Sequence, residues 1–129
     1  MPRSSVALTT EPLSGDLIVA AAAQVRGEHP ELGELEARVV DEGAVLQIIA
    51  GEEAVLSVLR PRLLPTLDEV GRLLPGIEPP EGTRWWTDAY TPWHPAGAVG
   101  VAILDAAAEA STGLVVHQGL TPSWRTTAD

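Results

Sequence analysis

The chain has 129 residues, of which 45% are hydrophobic and 20% charged, a balance that suits one globular domain and excludes general disorder. Eighteen acids against eight bases leave a net charge of −10, which argues against a nucleic-acid backbone as partner. With no cysteine there is no disulfide, thiolate metal site or cysteine nucleophile, and with no lysine there is no Schiff base and no ordinary P-loop.

The longest apolar run, Leu17 to Ala23, is far short of the ~18 residues of a membrane span, and no membrane association is expected. Arg3 is followed by polar Ser4 and Ser5, so no secretory leader is expected and the location is read as cytoplasmic. Asparagine and phenylalanine are also absent, and every positive charge is arginine, a bias that fits a high-GC genome.

Ser5 to Thr10 leans to strand, with Val6 and Leu8 alternating against polar neighbours. Ser14 is placed to cap a helix from Gly15 to Arg26, with Leu13 and Ile18 spaced as a hydrophobic staple and Leu17, Ile18, Ala21 and Val25 as its apolar stripe. Gly27 and His29–Pro30 end it. Leu35, Ala37 and Val39 alternate with charges as a half-exposed strand, Ala44 to Ile49 reads as a buried strand, and Ala54 to Arg60 as a third. The turns between them, at Asp41-Glu42-Gly43 and Gly51-Glu52-Glu53, make an antiparallel meander.

Thr66 and Glu69 match a capping box for a helix ending near Leu74, and Arg84 to Tyr90 reads as a strand. Pro95 to Ser111 is the longest expected helix, with Val99, Ile103, Ala106 and Ala110 on one stripe and Gly113 as its cap. Gly97 and Gly100 inside it point to close packing on a sheet. Leu114 to His117 closes the set as a strand parallel to the one before the helix. The expected fold is therefore α+β: residues 1–117 form one domain with a mixed sheet and a central antiparallel meander, in the order β-α-β-β-β-α-β-α-β, and 118–129 form a polar tail.

No catalytic constellation stands out. The three histidines lack metal-site spacing, Gly-x-Ser-x-Gly is absent, and a triad assembled from Ser111, His117 and Asp105 has no motif behind it. No metal, no cofactor and no enzymatic activity are expected. Adjacent carboxylates fall in turns or in a first helical turn, where solvation and the helix dipole account for them.

Two features remain. From Glu28 to Glu53 eight acids (Glu28, Glu31, Glu34, Glu36, Asp41, Glu42, Glu52 and Glu53) face one base, Arg38, while four of the eight arginines fall between residues 60 and 84. Were both meander turns to lie at one end with the 28–36 segment, they would form an acidic rim that attracts a basic protein; the plainer account is solubility. The second feature is aromatic: Trp85, Trp86, Tyr90 and Trp93 crowd into nine residues beside His94, with Trp124 in the tail. Trp and Tyr are frequent interface anchors, and a packed second layer is the plainer account here.

The run Gly43-Ala44-Val45-Leu46-Gln47-Ile48-Ile49, then Val55-Leu56-Ser57-Val58 through Pro61, Glu69-Val70-Gly71-Arg72-Leu73-Leu74, Trp85-Trp86-Thr87 and Gly113-Leu114-Val115-Val116 resembles an uncharacterised family of small actinobacterial proteins, a domain of unknown function. The resemblance covers roughly residues 6 to 117 and implies a link to type VII secretion and secreted-toxin loci. It carries no catalytic residue, and the chain departs from it at Thr91 to Gly97 and in the tail. The leading expectation is a non-enzymatic acidic binding module, an immunity factor against a secreted toxin or a secretion chaperone, with a basic protein as partner. Its candidate contacts are Glu28, Glu31, Glu52, Glu53, Trp86, Tyr90, Trp93, His94 and Trp124. Two other expectations stay open: a small-molecule or enzymatic pocket near Trp85, Trp86, Asp88 and His94, and a self-associating subunit of an assembly.

Overall fold

A computed structural model describes residues 3–92 and 97–117. Strand β1 (Arg3–Thr9) leads to helix α1 (Gly15–Glu28). Ser14 holds the N-cap, its Oγ accepting from the Leu17 amide at 3.2 Å, and Leu13 and Ile18 are both buried, as the staple requires. The helix runs one residue past Gly27, and the amide of His29 closes it on the carbonyls of Val25 and Arg26.

After a short 3-10 turn (Pro30–Leu32) come the meander strands β2 (Leu35–Val40), β3 (Val45–Ala50) and β4 (Glu53–Leu59). β5 (Arg62–Leu63) is a two-residue strand that the Pro61–Pro65 stretch hid from the sequence reading. α2 (Asp68–Leu73) follows, then β6 (Trp85–Thr91), α3 (Gly97–Ala110) and β7 (Leu114–His117). The expected capping box does not form: Leu67 occupies the N-cap position of α2 without a side-chain bond, and Glu69 pairs with Arg72 instead.

The strands make one seven-stranded sheet in the order β2-β3-β4-β6-β1-β7, with β5 paired to β6. Every neighbouring pair is antiparallel, so the sheet is not mixed. β6 and β7 do run parallel to each other, but β1 has been inserted between them. The meander occupies one flank, leaving β2 at the edge.

Alternation along β1 shows how the two faces are filled. Ala7 packs with α1 and α3 through Ile18, Val25, Ile103, Leu104 and Ala107. Val6 and Leu8 face the other way, against Val70 and Leu74 of the α2 region and Trp86 of β6. Small side chains line the first face at its centre (Ser5, Ala7, Thr87, Ala89 and Thr91), and they let α3 settle close to the sheet. The buried side of α3 is Gly97, Gly100, Ile103, Leu104, Ala107 and Ala108; Val99 and Ala106 are half-buried and Ala110 is exposed, unlike the expected stripe.

Gly113 does take part in the cap of α3, but not as its left-handed residue. The residue with positive φ is Thr112, at 50°. The amide of Gly113 donates to the Ala108 carbonyl at 2.8 Å and that of Thr112 to Glu109 at 3.1 Å, a Schellman ending with Gly113 one position beyond the left-handed residue. Glycine is needed there for room, since a Cβ would lie 2.7 Å from the carbonyl oxygen of Leu8.

Candidate functional site

Consecutive turns of a meander fall at opposite ends of a sheet, and this splits the acidic segment. Leu35 pairs with Ala50, and Ala50 pairs with Glu53, so the turn carrying Glu52 sits at the end where β2 begins. With strands about 4.8 Å apart, Glu53 lies about 10 Å across the sheet from Leu35. The descent of α1 delivers Glu28 to the same end, and Glu31, Glu34 and Glu36 follow along the connection and the first turn of pairing. All six carboxylates are on exposed residues. Asp41 and Glu42 are at the far end, so the single rim expected from both turns is corrected to one containing six acids.

At that far end the β2–β3 turn carries left-handed φ values at Asp41 (52°), Glu42 (56°) and Gly43 (89°). Arg60 braces it, donating to the carbonyls of Gly43 and Glu42, each at 3.3 Å. Arg62 and Arg84 lie towards the same end, opposite Trp86 and beside Thr9 respectively. Charge is thus divided along the strand direction, with six acids at one end beside Arg3, Arg26, His29 and Arg38. Arg26 spends its Nε on the Gly33 carbonyl at 2.6 Å, His29 approaches Glu31 at 3.3 Å, and Arg38 approaches Glu36 at 3.6 Å. Exposed pairs of this kind contribute about 0–1 kcal/mol and leave the local potential negative.

Two apolar grooves flank this segment. One, of about 370 Å³, runs between α1 and β2 over Val19, Ala22, Ala23, Leu35, Ala37 and Ile48, with Arg26, Glu34 and Glu36 at its rim. The other, of about 240 Å³, lies between Val25, Leu32 and the start of α3 at Ala98, Val99 and Ala102, rimmed by His29 and Glu31. None of these apolar residues was singled out as a contact from sequence. Their signal was present in the run Leu17 to Ala23, which is apolar all round and so offers more than one face.

The aromatic candidates scatter. Trp86 is 6% exposed, packed with Val6, Leu8, Val70 and Leu74. Its indole Nε1 donates to Asp88 Oδ1 at 3.0 Å, Arg62 approaches Asp88 Oδ2 at 3.4 Å, and the Arg62 guanidinium lies 5.6 Å from the Trp86 ring centroid. These three side chains satisfy one another, so Trp86 serves as core rather than as a surface anchor. Trp85 is half-buried and Tyr90 is exposed on the α2 face. Trp93, His94 and Trp124 lie outside the described residues.

One contact the sequence did not announce has the connectivity of a catalytic triad. Ser5 Oγ lies 2.8 Å from His117 Nδ1, and His117 Nε2 lies 3.0 Å from Asp105 Oδ1. Ser5, not Ser111, completes it; Ser111 Oγ instead donates to the Glu11 carbonyl. The burial is inverted for nucleophilic catalysis, since Ser5 is 1% exposed in mid-strand while the Asp105 side chain is 53% exposed. An acyl donor has no approach to a serine flanked by paired strands and covered by α3, and the sharp exposed turn of a nucleophile elbow is missing at Ser5. The chain Ser5–His117–Asp105 ties β1, β7 and α3 together.

Among the described residues, no group of three His, Asp or Glu side chains is placed to hold a metal ion, and no helix is long and apolar enough to cross a membrane. No protein-family model, no curated protein and no solved structure matches the chain.

Proposed function

We propose that this chain is a non-enzymatic, acidic protein-binding module whose partner is a basic protein. The observation that carries the reading is the gathering of Glu28, Glu31, Glu34, Glu36, Glu52 and Glu53 at one end of the sheet, next to two apolar grooves. A surface of this kind steers a cationic partner by charge and holds it by apolar contact. An immunity factor covering a basic toxin, or a cytoplasmic chaperone shielding a basic secreted substrate, would use it in this way. The resemblance of its motifs to the actinobacterial family linked with secreted-toxin loci supports the same class of partner.

The pocket reading near Trp85, Trp86, Asp88 and His94 receives less support, because Trp86, Asp88 and Arg62 are occupied with one another. The test is affinity purification of the full chain from its own host at low and high salt, alongside a Glu31→Gln, Glu34→Gln, Glu52→Gln variant. One stoichiometric basic protein, released by salt and retained less by the variant, is the expected result. Recovery of the chain alone at low salt would overturn the proposal.

A further inference from the structure

We infer that the basic partner binds by laying an extended segment along the edge of β2 that no other described strand pairs, adding a further strand to the sheet. This rests on the proposed function and specifies its geometry. β2 ends the sheet on the meander flank, and in antiparallel pairing alternate residues turn both their N–H and C=O to one neighbour. Three of the six residues from Leu35 to Val40 therefore direct main-chain groups outward.

Edges are commonly protected by proline, a bulge or a covering element. β2 has no proline, and the register shift of this flank lies between Ile48 and Ile49 on β3, one strand inward. At the other edge, β7, His117 is held to Ser5 and Asp105.

The side chains beside the edge suit a particular occupant. Leu35, Ala37 and Val39 share a face, as their partners Ala50, Ile48 and Leu46 show, and Val39 is 64% exposed. α1 presents Val19, Ala22 and Ala23 over the same margin, so the 370 Å³ groove has a floor and one wall but an open side where the next strand would lie. Alternate apolar side chains of an added strand would fill it. The remaining side chains would meet Glu36, which Arg38 on the same face approaches at 3.6 Å, with Glu34, Glu31 and Glu52 beyond; four acids against one base call for arginine or lysine. A second copy of this chain fits less well, because it would bring its own Glu31, Glu34 and Glu36, with Arg38 as the one base of β2, to an edge that is already acidic. The occupant is thus a basic strand of another protein with alternating cationic and apolar residues, held by strand addition.

The experiment uses the full isotopically labelled chain and three capped heptapeptides: one alternating arginine with valine, one with glutamate replacing arginine, and the basic one N-methylated at every second residue along one edge. The expected result is saturable, salt-sensitive binding of the basic peptide, with slowed amide exchange at alternate β2 residues. Methylation, by removing several main-chain hydrogen bonds, should weaken binding by about tenfold or more. Ala37→Arg, at an exposed position, should abolish binding while the exchange of core amides stays normal.

Equal binding of the basic and methylated peptides without β2 protection would overturn strand addition and leave the acidic module standing. Binding of no basic peptide, together with no basic partner from the host, would remove both. Protection at β2 that rises with protein concentration in the absence of peptide would replace the partner with a second copy and overturn the inference.

Discussion

A Cβ on Gly100 of α3 would sit 1.8 Å from the carbonyl oxygen of Val55 on β4, so the helix touches the sheet backbone to backbone. In an ordinary helix interior, replacing glycine by alanine gains about 1 kcal/mol. Here the obstructing atom belongs to a paired strand and has nowhere to go. Gly100→Ala is expected to cost about 3 kcal/mol or more, seen as a lower denaturation midpoint. Gly27→Ala, with nothing within 4 Å of the new methyl, should gain about 0.5–1 kcal/mol. Equal effects at the two sites would refute the close approach.

The end of α3 offers a second pair of opposed substitutions. Thr112 takes φ of 50°, a conformation that costs a non-glycine residue roughly 1–2 kcal/mol, whereas Gly113 is confined by Leu8 and Thr9. Thr112→Gly should stabilise by roughly 0.5 kcal/mol or more, and Gly113→Ala should destabilise by about 1–3 kcal/mol. Urea melts of both variants decide it; stabilisation by Gly113→Ala would show that the space next to β1 had been misread.

The Ser5–His117–Asp105 chain should behave as structure. Ser5→Ala is expected to cost about 1 kcal/mol by removing the bond to His117. The unaltered protein should turn over small activated esters no faster than buffer does. Serine-dependent ester hydrolysis would contradict the burial argument and reopen an enzymatic reading.

Trp86 and Tyr90 share a face of β6 but differ in burial, at 6% and 37% exposure. Trp86→Ala is expected to cost about 3–5 kcal/mol, with Asp88 left without its indole donor. Tyr90→Ala should stay within about 1 kcal/mol of the unaltered chain. Comparable losses would mean that Tyr90 also belongs to the core.

The elements themselves were legible because their signals are local. Ser14 with Leu13 and Ile18 marked the start of α1, alternation and turn residues marked the meander, and Gly100 announced a helix pressed on a sheet, while Gly97 meets the Pro92 carbonyl just beyond β6. Two local inferences failed, and one short strand went unread, where neighbours outweighed propensity. Glu69 is drawn to Arg72 rather than back to Thr66. Gly113 answers to the carbonyl of Leu8 rather than to a positive φ. The two-residue β5 exists only because β6 offers it an edge.

Composition determined the excess of negative charge and the exclusion of thiol and lysine chemistry, and local periods of two and about 3.6 residues determined the α+β class. Tertiary structure decided where the charge goes. Sequence neighbours Glu36 and Asp41 end up at opposite ends of β2, while Glu34 and Glu52, eighteen positions apart, come to the same end. It also decided which strand is left at the edge, because insertion of β1 between β6 and β7 is a long-range pairing. Such pairing is set by the packing of both sheet faces at once, and no local pattern encodes it.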